Sequence, residues 1–179
     1  IQIKESTIIY LQMELVSETG NEKKRQDTFQ IIVFKLGEEE YALQIDQIKE
    51  VVITPGITRM PQTPGYIKGV ANIRGNIIAI IDLEEKFNLQ RLNNQETSNN
   101  YTLVVESDDL KVGILVREVP NTLTISSSSF DESVGIINEA QSESNYIKGI
   151  VKADKRLIIL IDIFKVIDQE AVNLKKNVA

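Results

Sequence analysis

The chain has 179 residues and a net charge of −6, and its hydrophobic fraction of 42% is ordinary for a folded domain. A net negative charge does not fit proteins that bind nucleic acid or anionic membranes through a basic surface. The chain has no Cys, His or Trp. Disulfides, zinc sites built on nitrogen or sulfur, and imidazole or thiolate catalysis are therefore excluded.

Residues 1–28 are predicted to be an N-terminal extension and linker, apolar from Ser6 to Val16 and charged from Gly20 to Asp27. The apolar part fits a short helix or a strand equally well. No basic region followed by an apolar core marks a signal peptide. The longest apolar runs, Ile77–Ile81 and Leu157–Ile161, are far below the roughly 18 residues that span a bilayer. We expect a cytoplasmic protein with no direct membrane insertion.

From Phe29 onward, short β-rich segments alternate with turn residues. The sequence predicts a hairpin of two strands that turns at Gly37–Glu40, two further strands and a short helix. These five elements are Phe29–Leu36, Tyr41–Ile45, Tyr66–Arg74, Ile77–Ile81 and the helix Leu83–Leu89.

The second half of the chain repeats this order of elements. The sequence predicts another hairpin, a Ser-rich loop with some local helix, two strands and a terminal helix. The corresponding segments are Tyr101–Glu106, Val112–Val116, the loop Ser126–Ser144, Tyr146–Val151, Leu157–Ile161 and the helix Ile163–Asn177.

An internal repeat connects the two halves. Tyr66-Ile67-Lys68-Gly69 recurs as Tyr146-Ile147-Lys148-Gly149, and the apolar strand that follows ends at Asp82 in one copy and at Asp162 in the other. Each copy is too small to bury a robust core alone. The apolar strands lack alternation, which indicates that they are covered on both faces. We predict two small β-barrels packed together within 29–179, one from 29–89 and one from 101–162.

Asp82 and Asp162 are the first candidates for chemistry. As a pair they fit the acid and base of a carboxylate-based hydrolase. Each also precedes a predicted helix, and Asp82 followed by Glu85 has the spacing of a capping box. Helix capping explains both copies and is the favoured interpretation.

Repeated Tyr and Gly residues have simpler explanations. Tyr66 and Tyr146 are predicted to be core or barrel-closing residues. Gly69 and Gly149 indicate a required backbone conformation or a close approach of another strand.

The position of Arg74 carries a different residue in each copy of the repeat. Arg74 stands beside Gly75-Asn76, a pair suited to a two-residue hairpin loop, whereas the second copy reads Asp154-Lys155. An ion pair with Glu84 or Glu85 would explain Arg74 as an ordinary surface residue. An anchor for a protein partner would explain it as an interface residue.

Two segments carry a family resemblance: FQIIVFKLGEEEYALQIDQIKEVV (29–52) and GYIKGVANIRGNIIAIIDLEEKFNL (65–89). They resemble the bacterial CheW chemotaxis coupling proteins, and the match extends from Phe29 to the terminal helix. The resemblance implies two SH3-like five-stranded β-barrels on a shared core, no enzymatic activity and no cofactor. It also implies a scaffold that links chemoreceptor cytoplasmic tips to the regulatory domain of the histidine kinase CheA.

The resemblance also implies site residues. The positions that match the family's receptor-binding residues are Ile48, Glu50, Gly69, Asn72 and Arg74. Those expected to face the kinase are Ile32, Ile45 and Val51. Two positions depart from the family pattern: Ala79 replaces a frequent Pro, and Arg117 replaces a frequent Asp. An alternative interpretation is a CheW-like regulatory domain excised from a larger kinase or receiver fusion.

Overall fold

The computed structural model describes residues 27–89, 100–108, 110–133 and 146–167. Over these ranges the protein is mainly β, with strands in two six-stranded sheets. The strands are β1 (Thr28–Leu36), β2 (Glu39–Gln44), β3 (Ile48–Ile53), β4 (Ile57–Thr58), β5 (Ile67–Ile73), β6 (Asn76–Ile81), β7 (Tyr101–Glu106), β8 (Lys111–Val116), β9 (Asn121–Ser126), β10 (Phe130–Asp131), β11 (Ile147–Ala153) and β12 (Arg156–Ile161). A short helix α1 (Leu83–Lys86) follows β6, and residues 163–167 are helical after β12.

The two halves of the repeat exchange their first hairpins. Sheet A has the order β10-β11-β12-β2-β1-β9, and sheet B has the order β3-β7-β8-β6-β5-β4. Hairpin β1–β2 thus joins four strands of the second half, through a parallel pairing of β2 with β12; β8 pairs with β6 in the same way. The strands of 29–89 and 101–162 are therefore shared between the sheets, unlike the predicted division. Each exchanged hairpin covers a strand edge that the other half would leave open.

Each sheet curls back on itself. The two edge strands of sheet B, β3 and β4, are separated by only residues 54–56, and those of sheet A, β9 and β10, by the 3-10 turn Ser127–Ser129. Edges joined by three residues must lie close together, so both sheets form small barrels. Counting β3–β4 or β9–β10 as one interrupted strand gives the expected five strands per barrel.

Apolar side chains form three clusters. Ile31, Val33 and Ile158 belong to the interior of sheet A, and Ala71, Ile78 and Ile80 to that of sheet B. The third cluster, called here the shared core, lies between the sheets and contains side chains from both. Its buried members include Ile32, Phe34, Leu43, Leu103, Ile114, Ile161, Ile163 and Val166. Strand β1 supplies alternate residues to two clusters, as expected for a strand covered on both faces.

Coverage on both faces does not extend to the first apolar residues of β6 and β12. Ile77 is 69% exposed and Leu157 is 64% exposed. Both follow a hairpin turn, at the end of the strand opposite Ile81 and Ile161, which reach the shared core. The prediction of complete burial is wrong at these two positions.

Most predicted elements are confirmed, with small shifts of their ends. The prediction of a Ser-rich loop over 126–144 is wrong in part, because Ser126 ends strand β9 and Phe130 begins β10. The predicted extension 1–28 lies outside the described residues except for its last two, and so does the terminal helix beyond 167. No helix in the described ranges is long and apolar enough to cross a membrane.

Candidate partner-binding surfaces

The β5–β6 hairpin turns at Arg74-Gly75. Ile73 pairs with Asn76, so the two loop residues are Arg74 and Gly75, one position earlier than the predicted Gly75-Asn76. Their φ angles are 51° and 84°. A left-handed conformation costs a non-glycine residue about 1–2 kcal/mol. The equivalent residue of the β11–β12 turn, Asp154, has φ 53°, but Asp is among the residue types that tolerate this region.

Two polar contacts hold this turn. The Asn72 side-chain oxygen accepts a hydrogen bond from the Gly75 N–H at 2.9 Å. The Arg74 Nε donates to a Glu50 carboxylate oxygen at 2.5 Å and thereby ties the hairpin to edge strand β3. The Arg74 side chain remains 75% exposed. The guanidinium is therefore presented to solvent from a fixed turn.

The predicted ion pairs of Arg74 with Glu84 or Glu85 are wrong. Glu85 pairs with Lys68, and Glu84 pairs with Arg117. Arg74 projects from the opposite end of β6 from α1, which carries both glutamates.

The structure brings together three of the five predicted receptor-binding residues: Glu50, Asn72 and Arg74. Ile48 is half-buried and packs against the shared core. Gly69 is buried in β5 at a register shift, with φ 136°. A Cβ at Gly69 would overlap the carbonyl of Thr58 in β4. Gly69 therefore permits β4 to close the barrel and offers no side chain to a partner.

Gly149 has the same role in sheet A. It lies at the matching register shift in β11, and a Cβ there would overlap the Asp131 carbonyl and the Phe130 ring. The prediction that both glycines permit a close approach is confirmed.

The three predicted kinase-facing residues separate in the structure. Ile32 is 7% exposed and belongs to the shared core, so it cannot form part of an open surface. Ile45 is partly exposed, and Val51 is 40% exposed on β3. Ile53, two residues farther along the same strand, is also exposed. Sequence reasoning missed Ile53, although its alternation with Val51 places both on one face.

Strand register identifies the counterparts of Val51 and Ile53 in the other barrel. Val51 pairs with Leu103 of β7. Thr122 pairs with Ile32, the residue of β1 at the position equivalent to Leu103. The same relation matches Ile53 to Thr124. One barrel thus exposes two β-branched aliphatic residues where the other exposes two threonines, so the fold does not require the apolar pair.

Comparison with known proteins assigns the family. The model of the CheW-like domain matches residues 30–171. The chain belongs to the CheW-like family. It is 33% identical to the chemotaxis protein CheW of Klebsiella aerogenes over 92% of this chain and 95% of the relative. It is 31% identical to the chemotaxis protein CheW of Thermotoga maritima over 79% of this chain and 89% of that one.

A solved structure gives the same result for the fold. The crystal structure of the scaffolding protein TtCheW from Thermoanaerobacter tengcongensis is 31% identical, with a TM-score of 0.65. The likeness covers 76% of this chain and 90% of that chain. The prediction of a mainly β CheW-like fold is confirmed.

Asp82 and Asp162 are helix caps in this CheW-like chain. An Asp82 carboxylate oxygen accepts from the Glu85 N–H at 3.2 Å, and one of Asp162 accepts from the Phe164 N–H at 3.1 Å. A capping box also requires a bond from the Asp82 N–H to the Glu85 side chain. That part of the prediction is wrong, because the Asp82 N–H donates to the Tyr66 carbonyl at 2.8 Å. The Asp162 N–H donates likewise to Tyr146 at 2.7 Å.

Arg117, which departs from the CheW pattern, lies at a polar junction of the two sheets. Its Nε donates to Glu84 at 2.8 Å and its Nη2 to Asp82 at 3.4 Å. The other Glu84 oxygen accepts from the N–H of Gly37, in the β1–β2 turn, at 3.1 Å. Arg117 thus compensates the buried carboxylates of α1 and its cap, a role that the sequence did not indicate.

Three aromatic rings stack at the shared core, where Tyr41 is a buried member and Phe87 and Tyr146 pack against it. Phe87 stacks on Tyr146 with ring centroids 4.8 Å apart and on Tyr41 at 6.0 Å. Burial raises the pKa of Tyr41, with a further increase from Tyr146 and Glu39. Burial alone raises the pKa of Tyr146. Both phenols therefore stay neutral to a higher pH than a free tyrosine does.

Proposed function

We propose that this chain is a non-catalytic chemotaxis scaffold that couples chemoreceptor cytoplasmic tips to the regulatory domain of the histidine kinase CheA. Its CheW relatives are chemotaxis proteins, and its structural neighbour is a scaffolding protein. The observation that carries the proposal is the Arg74 turn. It presents an exposed guanidinium from a backbone of positive φ, whereas the equivalent turn has Asp154 at that position.

The receptor-binding surface is centred on the Arg74 guanidinium, with Glu50 holding its side chain and Asn72 holding its turn. An exposed ion pair such as Arg74–Glu50 contributes at most about 1 kcal/mol to folding. The left-handed Arg74 backbone opposes folding by a similar amount. Because the fold gains little from this arrangement, partner binding is its better explanation.

The kinase-binding surface includes Ile45, Val51 and Ile53. Val51 and Ile53 lie on edge strand β3 and Ile45 lies in the 3-10 turn before it, and exposed aliphatic side chains of this kind fit a reversible protein interface of modest size. The threonines of the equivalent strand β9 support this assignment, because they show that the barrel folds with polar residues at those positions.

A non-catalytic role is supported by the state of the two carboxylates considered for hydrolysis. Asp82 is almost completely buried, caps α1 and contacts Arg117. Asp162 caps the helical residues that begin at Ile163. Both are occupied by structural hydrogen bonds.

The test is a titration of a chemoreceptor cytoplasmic hairpin fragment with the wild type and two charge-reversal variants. Arg74→Glu places a carboxylate beside Glu50, and we expect receptor affinity to fall about tenfold or more. Lys155→Glu makes the same charge change at the tip of the β11–β12 hairpin and should leave receptor affinity unchanged.

Binding of both variants to the kinase regulatory domain serves as the folding control and should match that of the wild type. Equal loss of receptor affinity in both variants would indicate a nonspecific charge effect. Wild-type receptor affinity of Arg74→Glu would refute the assignment of the receptor-binding surface.

A further inference from the structure

The Asn72 side chain is directed to its own hairpin. Its oxygen accepts at 2.9 Å from the N–H of Gly75, the second residue of the turn and only three positions further along the chain. Asn72 is exposed near the end of β5, so burial does not fix this contact. The bond satisfies the N–H of the second loop residue and favours the conformation in which Arg74 has a positive φ.

The equivalent hairpin lacks both parts of this arrangement. Lys152 stands at the position of Asn72, and its ammonium points to Asp131 across 3.4 Å. Asp154 stands at the position of Arg74, and it tolerates a positive φ without help. The side-chain clamp therefore occurs in the hairpin whose first loop residue is poorly suited to its backbone conformation.

We propose that Asn72 is a positioning residue for receptor binding, which acts by holding the Arg74 turn and makes no contact of its own with the receptor. This inference rests on the proposed function and deepens it. The partner meets the Arg74 guanidinium, already oriented by Glu50 at its Nε edge, and Asn72 keeps the backbone from which that side chain extends.

Three single variants test whether the hydrogen bond from Gly75 to the Asn72 side chain is what matters for receptor binding. Asn72→Ala removes the acceptor, and receptor affinity should fall about two- to tenfold, the range of one net hydrogen bond. Asn72→Asp retains an acceptor oxygen and should restore most of the affinity. Lys152→Ala shortens the matching residue of β11 and should leave affinity unchanged.

A double-mutant cycle with Arg74→Ala gives the decisive measurement. If Asn72 acts through Arg74, Asn72→Ala should weaken receptor binding in the wild type and have little effect in the Arg74→Ala background. NMR should also show faster hydrogen exchange of the Gly75 amide in Asn72→Ala, with the kinase-domain affinity retained.

The outcomes separate the two proposals. An equal loss from Asn72→Ala in both backgrounds would make Asn72 a direct contact and overturn this inference alone. A loss from Arg74→Ala with none from Asn72→Ala would also overturn it, while the receptor surface stands. No loss from Arg74→Ala would refute the proposed receptor surface itself, and this inference with it.

Discussion

Arg74 and Asp154 occupy the same position of two equivalent turns. Their φ angles are nearly equal, at 51° and 53°, but Asp can satisfy its own backbone locally and Arg cannot. Selection for turn stability alone would favour Asp, Asn or Gly at position 74. The choice of Arg therefore indicates a use for its guanidinium, which the Glu50 contact orients.

Gly69 shows the opposite relation between a residue and its site. The resemblance places it among receptor-binding positions, yet the structure gives it a packing role beneath Thr58. Gly69→Ala combines an unfavourable φ with overlap of backbone atoms. We expect it to lower the free energy of unfolding by about 2–4 kcal/mol, measured by urea denaturation.

Gly56→Ala is the matched control for this variant. Gly56 lies in the connection between β3 and β4, close in sequence to the Thr58 that covers Gly69, and a Cβ at Gly56 would meet nothing within 4 Å. Its unfolding midpoint should stay close to that of the wild type. A Gly69→Ala protein as stable as Gly56→Ala that had lost receptor binding would return Gly69 to the contact surface.

Strands β3 and β9 are equivalent elements with different outer faces. Val51 of β3 and Thr122 of β9 occupy matching register positions, which permits a direct comparison. Val51→Asp should reduce affinity for the kinase regulatory domain about tenfold or more, because a carboxylate would be desolvated in an apolar interface. Isothermal titration calorimetry measures the change.

Thr122→Asp introduces the same side chain at the equivalent place on the other barrel. We expect its kinase-domain affinity to equal that of the wild type, and receptor affinity to be unchanged in both variants. If Thr122→Asp weakened kinase binding as much as Val51→Asp, the apolar face of β3 would not be the kinase-binding surface.

Most strands could be predicted from the sequence because apolar runs and turn residues are local signals. Strand β9 was missed, although Leu123 and Ile125 alternate with Thr and Ser, because the neighbouring serines resemble a loop. The exchange of hairpins could not be predicted, since apolar pattern shows which faces are buried but not which edges pair. Likewise, Gly75 predicts a turn, but which two residues form the turn is decided by the pairing of Ile73 with Asn76.

The candidate site was predictable only where the family pattern applied. Asn72 and Arg74 belong to one hairpin, but Glu50 lies 24 residues before Arg74, so its contact with the hairpin depends on the fold. The burial of Ile32 could not be predicted, because β1 is apolar on both faces and only the second sheet decides what covers each face.

At the scale of the whole molecule, the exchanged hairpins and the shared core make the two barrels interdependent. Each sheet contains strands of both halves, and the shared core contains side chains of both sheets. Neither half can keep its sheet if the other unfolds. The barrels therefore form one interdependent unit, within which the proposed receptor and kinase surfaces share strand β3, the strand of both Glu50 and Val51.

Between neutral and alkaline pH, the stability of this unit should change mainly at the alkaline end. The chain has no His or Cys, so no side chain with an ordinary pKa titrates between about pH 6 and 8. Burial raises the pKa of Tyr41 and Tyr146 above their unfolded value. Their contribution to stability is thus fully present below about pH 10 and is lost as pH rises through the folded pKa.

Urea midpoints should therefore stay nearly constant from about pH 6 to 8 and decline above about pH 10. Tyr146→Phe keeps the stack on Phe87 but cannot ionise, so its alkaline decline should be shallower than that of the wild type. Tyr101→Phe is the matched control, because the Tyr101 ring is not part of that stack, and it should decline as the wild type does. Parallel curves for wild type and Tyr146→Phe would show that the half-buried Tyr146 phenol does not limit alkaline stability.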